Sequence, residues 1–379
     1  MRKSLFAVTV WCAFGLLAQA GQAPQAGKTA SSSAAKAPAG GSGVPAAINT
    51  IDPEHIRADV KFLASDYLEG RGIGQRGGDL AAEYIATQFQ IIGLQPAGDD
   101  GSYLQKVPMA GVTTQESTSF AIEPLHGEPF RLRLRDEFVT SNQTLQPVSD
   151  VDGEIVFGGY GIQAPEFNWD DYKGTDVRGK VLLLLVNEPP SDDPAFFQGK
   201  ALTYYGRWTY KYEEAARRGA AAVLLVHKTD MASYGWEVVR NSWGGETSYL
   251  RDDKAPKLAS AGWVQLEVAR RIVDAAGANL DDLMQKANRR DFRPVPLGVK
   301  LKAHIASKVR EFESANVVGK LEGSDPALRH QAVLYSAHYD HFGIGPMVNG
   351  QNIYHGADRG LERLEEARRR RVSGGRGYR

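Results

Sequence analysis

Val181-Leu182-Leu183-Leu184-Leu185-Val186 and Ala221-Ala222-Val223-Leu224-Leu225-Val226 are unbroken apolar runs of strand length. Runs like these suit strands covered on both faces, as in a parallel sheet. Between them the spacing predicts a helix near Arg207 to Arg218, ended by Gly219. Strand, helix, strand in that order points to an α/β fold. Outward from this unit the pattern changes. Tyr103 to Val148 alternates in strand fashion, as in Phe130-Arg131-Leu132-Arg133-Leu134. Alternation returns at Val299, Leu301, Ala303 and Ile305, and continues through Ser314 to Leu321. A further apolar run, Val333-Leu334-Tyr335-Ser336-Ala337, reads as a buried strand leading into His338-Tyr339-Asp340.

Two helices precede the strands. Asp52-Pro53-Glu54 is a helix start, with an acidic cap and proline in the first turn. Ile56, Val60 and Leu63 follow at helical spacing. The second helix is expected from about Gly78 to Ile92, with Leu80, Tyr84, Ile85, Phe89 and Ile92 on one face and Gly93 ending it. Gly70-Arg71-Gly72-Ile73-Gly74 lies between them. It follows a helix rather than a strand, so it reads as a connecting loop and not as a phosphate cradle.

The ends of the 379-residue chain differ in character. Arg2 and Lys3, the apolar stretch Leu5 to Leu17 and Ala18-Gln19-Ala20 have the form of a secretory signal peptide, residues 1–20. The single cysteine, Cys12, lies within it, so a processed chain has neither disulfide nor thiolate chemistry. Residues 21–48, rich in Ala, Gly, Ser and Pro, read as a flexible linker. Residues 359–379 hold eight arginines against three glutamates and read as a basic, unrelated tail. Lysine plus arginine equals aspartate plus glutamate at 45 each, which gives no support to a nucleic-acid partner. The expected location is therefore exported, periplasmic or extracellular, with no membrane span after signal cleavage.

The chemistry is expected at His338 and Asp340. A histidine at the carboxyl end of a buried strand stands where open α/β sheets place their sites. Zinc takes a neutral imidazole nitrogen, and a carboxylate two residues on can accept the other ring N–H. The stretch His338-Tyr339-Asp340 also fits a hydrogen-bonded polar strand end. Tyr204, Tyr205, Trp208, Tyr210 and Tyr212 form an aromatic group that fits core packing, or else a shelf for substrate.

Ser336-Ala337-His338-Tyr339-Asp340-His341-Phe342-Gly343, with Asn352-Ile353-Tyr354-His355-Gly356-Ala357-Asp358, resembles the signature of the co-catalytic zinc aminopeptidases, peptidase family M-twenty-eight. Lys61 to Gly72 resembles that family's opening segment. Asp171 to Val181 and Gly219 to Val223 look like parts of a protease-associated domain inserted in many members. The resemblance implies a truncated zinc-peptidase α/β sandwich: residues 49–150 and 297–358 as an incomplete peptidase domain, and 151–296 as the protease-associated domain. It also implies peptide substrates and hydrolysis of their N-terminal residues by two zinc ions. His338 matches the first zinc ligand, Asp340 its orienting carboxylate, and Asp358 the residue before the metal-bridging aspartate. The bridging position is Arg359, so the full zinc site is not expected in this chain. Glu365-Glu366 mimics the family's acidic pair but has no strand before it, and reads as helix surface. A reading-frame change or a gene-model error just after Asp358 would explain the switch to arginine-rich sequence. The chain is thus expected to be an exported aminopeptidase by family, inactive as written. The alternative is a non-catalytic module that binds peptide or protein through the protease-associated domain.

Overall fold

The computed structural model describes residues 50–348 and 350–356. The expected signal segment, linker and basic tail, with Cys12, Asp358, Glu365 and Glu366, lie outside these residues. The described fold is mixed α/β and is dominated by a ten-stranded sheet.

Two helices come first, α1 (Pro53–Leu63) and α2 (Arg76–Ile91). The strands of the sheet follow as β1 (Leu104–Thr114), β2 (Ser119–Pro124), β3 (Phe130–Leu132), β4 (Phe138–Ser141), β5 (Val148–Phe157) and β6 (Val181–Leu185). Then come α3 (Trp208–Arg217), β7 (Ala222–His227), α4 (Trp236–Trp243), β8 (Thr247–Leu250) and β9 (Ser260–Gln265). Helices α5 (Leu266–Ala275) and α6 (Leu280–Ala287) lead to β10 (Val295–Val317), and a hairpin of β11 (Gly343–Val348) and β12 (Gln351–Tyr354) closes the described chain. Across the sheet the order is β8-β1-β10-β5-β6-β7-β9-β4; off that path β2 pairs with β10, and β3 pairs with β2.

The two apolar runs become β6 and β7, side by side and parallel, Val181 opposite Ala222. Alternation along them divides the core in two. Leu183, Leu185, Leu224 and Val226 face Val268, Ile272 and Leu283 of α5 and α6. Leu182, Leu184, Val223 and Leu225 face Tyr212, Ala215 and Ala216 of α3. Both faces are covered by helices, which is why no polar residue interrupts either strand.

Strand β10 runs 23 residues without a break, uniting two stretches of alternation that read separately in the sequence. Its first half pairs with β5 and β2, its second with β1. The expected limits at 150/151 and 296/297 fall inside β5 and β10, which pair with each other.

Two expectations are corrected. The core face of α2 is not the large apolar stripe but Gly77, Gly78, Ala81, Ala82 and Ala86. The helix approaches the preceding turn so closely that a Cβ on Gly77 would lie 1.8 Å from the Leu68 carbonyl oxygen. Leu80 and Ile92 are left exposed by that choice. The second correction concerns Val333 to Ala337, which forms no strand. Val333, Leu334 and Tyr335 are 81%, 81% and 92% exposed. A strand needs neighbours for its backbone and cover for its faces, and among the described residues nothing supplies either to this run.

Candidate functional site

The His338 segment is held from below by the turn between the two first helices. Residues Asp66–Arg71 form a short 3-10 stretch that ends in three left-handed residues, Glu69, Gly70 and Arg71. Glycine is required at position 70. Its φ is +70°, and a Cβ there would meet the carbonyl oxygens of Tyr354 and Gly343 at 2.6 and 2.7 Å. The unusual backbone turns Arg71 inward, where only 7% of it remains exposed.

Arg71 organises the site. Its Nε donates to the Tyr339 carbonyl at 2.7 Å, and its Nη1 donates to the Leu63 carbonyl. Its own carbonyl accepts from the His341 backbone N–H at 3.0 Å. Gln75 Oε1 accepts from the Ile344 N–H at 3.2 Å. On the opposite side, the Tyr339 hydroxyl donates to the Ala315 carbonyl of β10 at 2.6 Å. His355 Nε2 lies 2.5 Å from Asp66 Oδ1, tying the end of β12 to the same turn.

His338 and Asp340 stand near each other on an open coil, and the ring's hydrogen bond goes to the Asp340 main chain rather than to its carboxylate. His338 Nδ1 lies 3.0 Å from the Asp340 main-chain carbonyl and 3.3 Å from its Oδ1. With the proton held on Nδ1, Nε2 carries the lone pair a metal would use. The two side chains are 65% and 37% exposed, so water competes for both. His341 joins neither of them through a hydrogen bond that the structure records. Burial lowers its pKa, the Arg71 guanidinium lowers it further, and Asp340 opposes both.

The donor set does not fit a zinc centre. Zinc sites take at least three protein ligands, and among the described residues no three His, Cys, Asp or Glu side chains cluster closely enough to hold a metal ion. The nearby guanidinium of Arg71 also disfavours a dication. Asp358 lies outside the described residues.

The sequence pointed to His338 and Asp340 but not to Arg71, Gln75 or Asp66. The visible signal for Arg71 was its place between glycines in the segment resembling the family's opening stretch. The aromatic group divides. Tyr210 and Tyr212 are buried, while Tyr204 and Tyr205 pack half-buried against the core.

No family model matches the chain, and no curated protein matches it. Solved structures similar to it include an aminopeptidase from Aneurinibacillus sp. strain AM-1, at 21% identity and TM-score 0.34, over 73% of this chain and 49% of that one. The zinc aminopeptidase BSAP from Bacillus subtilis is similar at 13% identity and TM-score 0.26, over 72% of this chain and 48% of that one. A second BSAP structure gives 13% identity and TM-score 0.25, over 70% and 46%. The chain spans about half the length of these structures.

Proposed function

We propose that the chain derives from exported co-catalytic zinc aminopeptidases and that the residues present here do not hydrolyse peptides. In this reading, 49–150 and 297–358 are the peptidase-like part and 151–296 a protease-associated insert. The ancestry rests on the motif residues from Ser336 to Asp358 and on Lys61 to Gly72. The lack of catalysis rests on one observation: His338 and Asp340 stand together on an exposed coil, with no third ligand in reach among the described residues. Two-metal hydrolysis needs a nucleophilic water held between ions, and a histidine with one carboxylate cannot hold them against solvent.

The test is a zinc titration by calorimetry beside an assay of aminoacyl-coumarin hydrolysis. The expected result is no zinc-dependent turnover, and zinc binding no tighter than that of His338→Ala. Turnover that needs zinc and disappears in His338→Ala would overturn the reading.

A second reading is favoured by the half-buried aromatics of the insert. Phe167, Phe196, Tyr204 and Tyr205 pack against the core while keeping part of their surface in solvent. Partly exposed rings offer apolar and stacking contacts to a peptide chain, and the chain would then act as a peptide-binding module. Saturable binding of an unstructured peptide, lost in Phe196→Ser, would support it, and its absence would remove it.

A further inference from the structure

Residues 321–337 form a strap tied at both ends. At one end Lys320 and Gly319 pair with Gln95 and Pro96. At the other, the Tyr339 hydroxyl donates to the Ala315 carbonyl, and the Tyr339 carbonyl accepts from Arg71. A turn lies within the strap, where the Leu328 N–H donates to the Asp325 carbonyl and the Gln331 N–H to the Leu328 carbonyl. After that turn comes Val333-Leu334-Tyr335-Ser336-Ala337, which has no secondary structure. Val333, Leu334 and Tyr335 stand almost wholly in solvent. Among the described residues no hydrogen bond reaches the backbone of 333–337.

The run carries residue types that favour strands. It also presents free N–H and C=O groups, which is what an edge strand offers to another chain. A fitting partner supplies extended backbone, apolar cover, and charges that complement the flanks. Those flanks differ in sign. Arg329 and His330 precede the run and are exposed, while Asp340 follows it with its side chain 37% exposed.

A second copy of the chain meets all three needs. In an antiparallel pair centred on Tyr335, Val333 of one copy stands opposite Ala337 of the other, Leu334 opposite Ser336, and the two Tyr335 opposite each other. Side chains alternate along a strand, so Val333, Tyr335 and Ala337 of both copies share one face. The two tyrosines form a cross-strand aromatic pair on it. The same register sets His330 of each copy opposite Asp340 of the other, with Arg329 one residue further. A parallel pair in register would instead set Arg329 against Arg329 and Asp340 against Asp340, which is unfavourable. The antiparallel arrangement is twofold and closes at two copies.

We propose that Val333–Ala337 is a self-pairing strand through which two copies of this chain associate, antiparallel and centred on Tyr335. The association does not depend on whether the chain hydrolyses peptides. A two-stranded ribbon is marginal in water, so the pairing is weak and depends on concentration. The run lies outside the ten-stranded sheet, so the fold of each copy does not rely on it.

Two measurements test this. In sedimentation velocity from about 2 to about 200 µM, the wild-type chain should pass from monomer toward dimer and no further. Tyr335→Asp sets two like charges opposite each other at the axis and should stay monomeric with an unchanged melting temperature. Cross-linking then reads the register. In a Cys12→Ser background no other cysteine remains. Oxidised Tyr335→Cys should form covalent dimers, because residues facing each other across the axis lie within the ~4.4–6.8 Å that a disulfide spans. Val333→Cys should cross-link at least about tenfold more slowly, since its two copies lie about 13 Å apart along the ribbon. A chain that stays monomeric throughout, a Tyr335→Asp chain that still pairs, cross-linking at 333 as fast as at 335, or growth into larger assemblies overturns the proposal.

Discussion

Replacing Arg71 by methionine should free the His338 segment while leaving the sheet intact. Methionine keeps the aliphatic bulk of the buried side chain and removes its donors. The Tyr339 carbonyl would lose a bond of 2.7 Å, and the Leu63 carbonyl would lose its Nη1 donor. Hydrogen bonds from a charged group contribute about 1.5–3 kcal/mol each. The Tyr339 end is half-buried and water can replace part of its loss, so about 3 kcal/mol for both is reasonable. At ~1.4 kcal/mol per tenfold, that is roughly a hundredfold in the opening equilibrium. The readout is amide exchange at His341, whose N–H donates to the Arg71 carbonyl, and at Ile344, whose N–H donates to Gln75. Both should exchange faster by about that factor. The thermal midpoint should barely move, because none of the lost bonds lies in the sheet. Were the same energy lost globally, the midpoint would fall by about 6–12 °C. Unchanged exchange at His341 would show that Arg71 does not hold the segment. A midpoint drop of the full size would show that the segment and the sheet unfold as one.

Three further perturbations probe other parts of the chain. Gly77→Ala drives a methyl group to 1.8 Å from the Leu68 carbonyl oxygen; overpacking of about 1–3 kcal/mol should outweigh the gain in helix propensity, and a raised thermal midpoint would refute the close approach of α2. Leu334→Lys alters a side chain on an 81% exposed residue, so stability should change by less than about 0.5 kcal/mol while light scattering falls; a loss of stability would mean the run is covered in solution. His227 is buried among Tyr234, Trp236 and Trp263, with Nε2 at 3.1 Å from the Tyr234 carbonyl. Burial lowers its pKa, so the unfolded chain takes up the proton first as pH falls. Its stabilising share is present above the ordinary value of about 6.5 and is lost on acidification below it, and His227→Gln should flatten that slope in thermal melts.

The parts legible in the sequence are those where a local pattern has one physical meaning. Val181 to Leu185 and Ala222 to Val226 could be read because full cover on both faces demands an unbroken apolar run. Val333 to Ala337 carries nearly the same pattern yet is exposed, because a strand's burial belongs to its neighbours and not to its own residues. The face of α2 was misread for a related reason. Helical periodicity rewards large apolar residues, whereas a backbone contact at Gly77 and Gly78 selects small ones. At the site, the nearness of His338 to Asp340 is a local relation, but the ring's hydrogen bond falls on the Asp340 main-chain carbonyl, which the sequence does not indicate. Arg71 acts across 268 positions on Tyr339, and Tyr339 reaches across 24 to the Ala315 carbonyl. No spacing rule reaches either of them.

The anchoring of the His338 segment also decides how the chain responds to metal removal. In an extended stretch, alternate side chains point to opposite sides. Tyr339 is tied inward by its hydroxyl to Ala315 and by its carbonyl to Arg71. His338 and Asp340, on either side of it, are then left toward solvent, and their ring and carboxylate meet at 3.3 Å. The pair is thus positioned by protein hydrogen bonds that need no ion. A metal that bound the folded chain at a hundred times its dissociation constant would stabilise it by about 2.7 kcal/mol. Stripping such an ion with a chelator would lower the melting temperature by several degrees and loosen residues 338–341. Because two solvated donors cannot hold zinc that tightly, the melting temperature and the exchange at His341 should both be unchanged by chelator and by added zinc. A zinc-dependent rise in melting temperature that vanishes in His338→Ala would show a metal centre assembled around this pair, and would reverse the argument from the exposed coil.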